Sequence, residues 1–109
     1  MRLVILESPF AGDVERNLRY ARAAMRDCLK RGEAPFASHA LYTQTGVLDD
    51  SNASERAYGM AAGLAWGEKA DATVVYTDLD ISHGMHVGIE CARNLNRPVE
   101  FRSLPGWES

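Results

Sequence analysis

Short apolar runs alternate with helical patterns three times along this chain, an order that confines it to a parallel sheet covered by helices. Leu3-Val4-Ile5-Leu6, bounded by Ser8-Pro9, has the pattern of a strand buried on both faces. Ala72-Thr73-Val74-Val75-Tyr76 is the clearest interior strand, and Val99-Glu100-Phe101 begins a last one. The segment Ala34–Ser38 is a weaker strand, and Pro35 places it at one side of the sheet, where its missing N–H costs no ladder bond.

The helical patterns fall between these runs. Asp13 is placed to cap a first helix with an apolar stripe of Val14, Leu18, Ala21, Met25, Cys28 and Leu29, closing near Gly32. A second helix is expected over Ser54–Lys69, where Gly59, Gly63 and Gly67 recur every four residues among alanines. Each interior Gly costs about 1 kcal/mol of helix propensity, so close backbone approach is expected there, on the sheet or on a second copy through Tyr58 or Trp66. A third helix starting at Met85 turns Met85, Ile89, Ala92 and Leu95 inward. The expected fold is therefore α/β, three-layer and Rossmann-like. Its parallel sheet has four to five strands in flavodoxin-like order with helices on both faces, and residues 1–109 form a single domain.

A net charge of −3 argues against a nucleic-acid binder, which needs a clustered positive surface. Arg16, Arg19, Arg22, Arg26, Lys30 and Arg31 are spaced as the solvated face of the first helix. Cys28 and Cys91 have no CxxC or metal-type neighbours and read as small core residues of a reducing compartment. No segment has signal-peptide or membrane-spanning character, so the expected location is the cytoplasm, that of the host if the protein is phage-encoded. His39, His83 and His86 lack a zinc spacing, and neither a metal nor a cofactor is expected.

In such sheets ligands sit beyond the strand C-terminal ends, where the strand order reverses. The loops after the first and third strands are therefore the ones to interrogate. In Ser8-Pro9-Phe10-Ala11-Gly12-Asp13, Gly12 permits close approach of a phosphate to the anion-attracting N–H groups of a helix N-terminus, and Phe10 can stack on a base or sugar. In Thr77–Met85, Asp78 and Asp80 can bond sugar hydroxyls or act as a base, and Ser82, Gly84 and Met85 open the third helix toward the same crevice. His39 and Tyr42, after the second strand, are further pocket candidates, and Glu90 lies inside the third helix.

At these residues the chain resembles the nucleoside 2-deoxyribosyltransferase-like superfamily, including its small members found in phages and bacteria. The resemblance rests on Ser8–Asp13, on Pro35-Phe36-Ala37-Ser38-His39, and on Ser82 to Val99 with its Arg97-Pro98-Val99 ending. It implies cleavage of an N-glycosidic bond by a glutamate nucleophile early in the third helix, and a dimer whose neighbour completes the pocket. Counted back from Pro98-Val99 the nucleophile's position falls on Gly88, while Glu90 is rotated roughly 200° away.

Two functions follow. In the first, a nucleotide or nucleotide-derived molecule is held in the crevice without turnover, as in a sequestering phage protein that lacks the glutamate. In the second, a nucleoside or nucleotide N-glycosidase or deoxyribosyltransferase uses Asp80 or Glu90. The expected partners are such a small molecule and further copies of the chain through the Gly/Ala-rich second helix, with no nucleic acid and no membrane.

Overall fold

A computed structural model describes residues 1–107. Along the chain the elements are β1 (Arg2–Glu7), α1 (Val14–Lys30), β2 (Glu33–Phe36), α2 (Ser38–Leu41), α3 (Ala53–Gly67), β3 (Ala72–Tyr76), α4 (His83–Asn94) and β4 (Val99–Arg102). The four strands are parallel in the order β2-β1-β3-β4, with β2 at the edge that Pro35 requires. From β1 the chain winds one way to β2, and from β3 it winds the other way to β4. The order thus reverses between β1 and β3, where Glu7 pairs with Val75.

Strand alternation divides the sheet into two faces. Val4, Leu6, Ala72, Val74 and Tyr76 pack under α1, whereas Val75 packs with Met85 and Ile89 under α4. All five residues of β3 are buried, which accounts for its continuous apolar, β-branched sequence. The fold is the expected three-layer α/β arrangement.

Details within the helices differ from the stripe pattern. The residues of α1 that are buried are Asn17, Tyr20, Ala21, Ala24 and Cys28, while Val14 and Leu29 are exposed. Small residues let α1 approach the sheet, and the ring of Tyr20 fills the space beside them. The Asp13 carboxylate caps α1 by accepting from the Arg16 backbone N–H at 3.1 Å, and the Asn17 amide donates to the Phe10 and Ala11 carbonyls at 2.8 and 3.1 Å. Asn17 thereby holds the loop that precedes its own helix. In α4, Met85, Ile89 and Ala92 are buried as expected, but Leu95 is exposed because it is the C-cap, beyond the last packed turn.

The glycines of α3 lie against other parts of the chain rather than against the sheet. A Cβ at Gly63 would lie 3.0 Å from the Ser38 hydroxyl on α2, one at Gly59 3.3 Å from Leu48, and one at Gly67 3.3 Å from the Arg97 guanidinium. Their spacing therefore serves contact with α2, with the loop after it and with Arg97. Tyr58 and Leu64 of α3 are exposed, whereas Trp66, also partly open to solvent, lies over Phe36 and bonds Tyr42. Leu104 and Trp107, in a tail without periodicity, pack on the α1 core, with the Trp107 ring edge-on to Tyr20 at 5.0 Å. Among the described residues, no helix is long and apolar enough to cross a membrane.

Candidate functional site

The loop from Ser8 to Asp13 leaves the C-terminal end of β1. Ser8 and Pro9 are buried, Phe10 is half-buried, and Gly12 has φ +100°, a left-handed conformation that suits a residue without Cβ. Ser8 meets His39 of α2, with Oγ 2.7 Å from Nε2. Burial pushes the His39 imidazole down to about 4, so the ring is neutral at pH 7. The Thr43 hydroxyl donates to the His39 carbonyl at 2.5 Å and ties this pair to the next loop.

Phe10, Ala11, Gly12 and Val14 form one wall of a crevice of about 820 Å³, whose opposite wall is Thr43 and the 45–51 loop, with Glu55 and Arg56 of α3. The first loop therefore opens toward the segment after α2. Tyr42 turns away from this crevice: its hydroxyl accepts from Trp66 Nε1 at 3.1 Å and its ring stands edge-on to Phe36.

The loop after β3 is largely occupied by structural bonds. The Asp78 carboxylate accepts from the Tyr20 hydroxyl at 2.5 Å and from the Leu104 N–H at 2.8 Å. Asp80 is exposed at φ +68°, in the region that Asp tolerates better than most residues. Ser82 caps α4 by accepting from the Met85 N–H at 3.3 Å, and Met85 itself lies in the core. Gly84 is exposed with open space around it. Glu90 points to solvent, its side chain 69% exposed beside Arg93. None of these side chains lines the crevice against Phe10.

The carboxylate that does meet α4 belongs to Glu7, a residue that motif reading passes over. A Cβ at Gly88 would lie 2.2 Å from Glu7 Oε2, so the carboxyl occupies the space into which a side chain at position 88 would grow. Its sequence signal is modest: a lone acid closing an otherwise apolar strand run. Burial raises the Glu7 carboxyl from the ordinary 4.5 to about 8, and the opposing charge of Arg97 offsets only part of this. Arg97 is itself engaged, donating to the Thr73 hydroxyl at 3.0 Å and to the Gly67 carbonyl at 2.6 Å.

This shift sets a stability profile. Folded Glu7 holds its proton more tightly than the unfolded chain does, so its contribution is full below pH 4.5 and falls as pH rises through about 8. Glu7→Gln keeps the shape and removes the titration. Urea denaturation is expected to show the variant more stable than wild type at pH 9, by about 2–4 kcal/mol, with little difference at pH 4. An equal offset at both pH values contradicts the assignment.

Among the described residues, no group of three His, Cys, Asp or Glu side chains is arranged to hold a metal ion. No curated protein matches the chain. Among solved structures it is similar to a 2-deoxyribosyltransferase from the psychrotolerant bacterium Bacillus psychrosaccharolyticus, at 20% identity and a TM-score of 0.64. The match covers 98% of this chain and 76% of that one, a likeness that establishes the fold. The family is fixed by sequence: a family model matches residues 2–102, and the chain belongs to the domain family of unknown function DUF7768.

Proposed function

We propose that the protein binds a nucleoside-type ligand at the C-terminal edge of the sheet, over the end of β1 and in the crevice beneath Phe10. The observation that carries this reading is the crevice itself. It joins an aromatic face at Phe10 to an open backbone at Gly12, and the neutral Ser8–His39 pair is anchored to its far wall through Thr43. An aromatic ring suits the flat face of a base, and neutral polar groups suit sugar hydroxyls. The fold shared with a 2-deoxyribosyltransferase supports the same ligand class.

Charge favours a ligand with few phosphates. Asp49, Asp50 and Glu55 line the crevice against the single cation of Arg56. The Asp13 carboxylate already caps the N-terminus of α1, which would otherwise attract an anion. Sequestration of a multiply charged signalling nucleotide is accordingly the weaker reading. Self-association through α3 belongs to the same proposal, because its exposed Met60 and Leu64 stand one turn apart on one side of the helix.

A thermal-shift panel of nucleosides, nucleoside monophosphates and cyclic dinucleotides tests the reading. Nucleosides are expected to raise Tm by a few degrees at saturating concentration, phosphorylated forms less, and Phe10→Ala to lose most of the shift. A shift with cyclic dinucleotides alone would reverse the preference. No shift with any nucleoside overturns the proposal.

A further inference from the structure

We propose that the outer face of α1, with the groove beside it, docks an acidic amphipathic segment of a partner protein. This surface stands apart from the crevice: none of its cations lines the wall beneath Phe10.

Charge is concentrated on this helix. Residues 14–31 hold six of the chain's twelve Lys and Arg but only two of its fifteen acids, a net +4, whereas the rest of the chain carries −7. The buried Asn17, Tyr20, Ala21, Ala24 and Cys28 face the sheet. Arg19, Arg22, Arg26 and Lys30 are all exposed, and at 3.6 residues per turn they fall within about 80° of one another on the opposite side. They form a line about 16 Å long. Consecutive members are three or four residues apart, the spacing at which like charges on a helix repel. Among the described residues none of the four has an ion-pair partner, and Glu15, one turn before Arg19, does not pair with it. A face that is merely solvated alternates the two signs at this spacing. Here the repulsion stands unrelieved, and carboxylates brought by a partner relieve it.

One flank of the line is apolar. Leu18 and Met25 wall a groove of about 360 Å³ whose other side is Phe36 of β2 with Ala40 and Leu41 of α2, and Arg22 lines it too. Leu29, one turn after Met25, and Leu41 are open to solvent. A row of cations beside an apolar groove complements a segment with carboxylates on one side and apolar residues on the next, the pattern of an amphipathic helix laid along α1. A phosphate backbone suits the row but leaves the groove unfilled, and the acidic remainder of the chain repels a long polyanion.

Fluorescence anisotropy on the full chain tests this, with a labelled acidic peptide of about four helical turns that carries Leu on one side and Glu on the adjacent side. Binding is expected at micromolar Kd, weakened at least about tenfold between about 50 mM and about 300 mM NaCl. Arg22→Glu is expected to weaken it about fivefold, and the triple reversal R19E/R22E/R26E at least about 30-fold. Leu41→Ser, in the groove, is expected to cost about threefold, whereas Lys69→Glu, which reverses an exposed cation elsewhere, stays within about twofold. The substituted side chains are exposed, so circular dichroism is expected to show every variant folded. No binding of the peptide, or binding that the triple reversal leaves unchanged, overturns the proposal. A peptide with Ser in place of Leu that binds as well as its parent overturns the role of the groove. Tighter binding of a single-stranded oligonucleotide or of phosphatidylserine vesicles through the same cations overturns the protein partner. Self-association that the triple reversal dissolves, read by sedimentation, overturns it in favour of a second copy.

Discussion

Replacing Tyr20 by Ala is expected to destabilise the protein by about 3–5 kcal/mol, a large share of the roughly 5–15 kcal/mol that holds a domain of this size. Tyr20 is fully buried on α1 among Val4, Leu6, Val74 and Tyr76, with Trp107 edge-on to its ring. Its hydroxyl also donates to the Asp78 carboxylate and accepts from the Asp78 N–H at 2.8 Å. The substitution therefore opens a cavity, frees the tail at Trp107 and removes a donor from a charged acceptor. Thermal unfolding followed by circular dichroism should show Tm lowered by about 15–25 °C. Tyr20→Phe keeps the ring and should lose about 1–2 kcal/mol. If the Ala variant melts within a few degrees of wild type, Tyr20 is not the keystone of the α1 face.

Arg102→Ala is expected to cost about 3–5 kcal/mol, because it leaves a buried carboxylate without its main partner. The Arg102 guanidinium donates to both oxygens of Glu33 at 2.8 Å, the two side chains being only 7% and 6% exposed. It also reaches Glu100 at 3.0 Å and the Tyr76 hydroxyl at 3.3 Å, so β4 and β2, the two edge strands, are tied together across the α1 face. Arg2 bonds both Glu33 and Glu100 and extends the network. Hydrogen bonds from Arg102 hold the Glu33 carboxyl below its ordinary value of 4.5. The stability from this pair is present above that value and is lost as pH falls through the depressed one. Urea denaturation at pH 7 and pH 3 should show a large penalty for the variant at pH 7 that shrinks at pH 3. A penalty below about 1 kcal/mol at pH 7 would place the pair with ordinary surface bridges.

Both substitutions concern contacts that no local pattern contains. Tyr20 and Asp78 are far apart in the chain, and periodicity assigned the buried stripe of α1 to Val14 and Leu29 rather than to Asn17 and Tyr20. A helical wheel ranks residues by polarity, so it undervalues a Tyr whose hydroxyl is satisfied and an Asn whose amide is spent on the loop before it. The glycines of α3 were legible as a requirement for close approach, but which surface approaches depends on α2, a single turn too short to leave a signature.

The candidate site divides along the same line. The loop Ser8–Asp13 could be picked out in the sequence because Gly, Pro and a capping Asp mark a turn into a helix. Glu7 could not be, because a charged residue at the end of a strand acquires meaning only from what stands opposite. By itself the sequence determined the alternation of elements, the edge position of β2 and the burial of β3. These follow from local sterics and from hydrophobic period, which act over a few residues. Only the tertiary structure decided that Ser8 meets His39, that the crevice opens toward the 45–51 loop, and that Glu7 fills the space Gly88 leaves. Those outcomes depend on which helix the winding of the chain lays against the end of β1, a packing result that no local preference encodes.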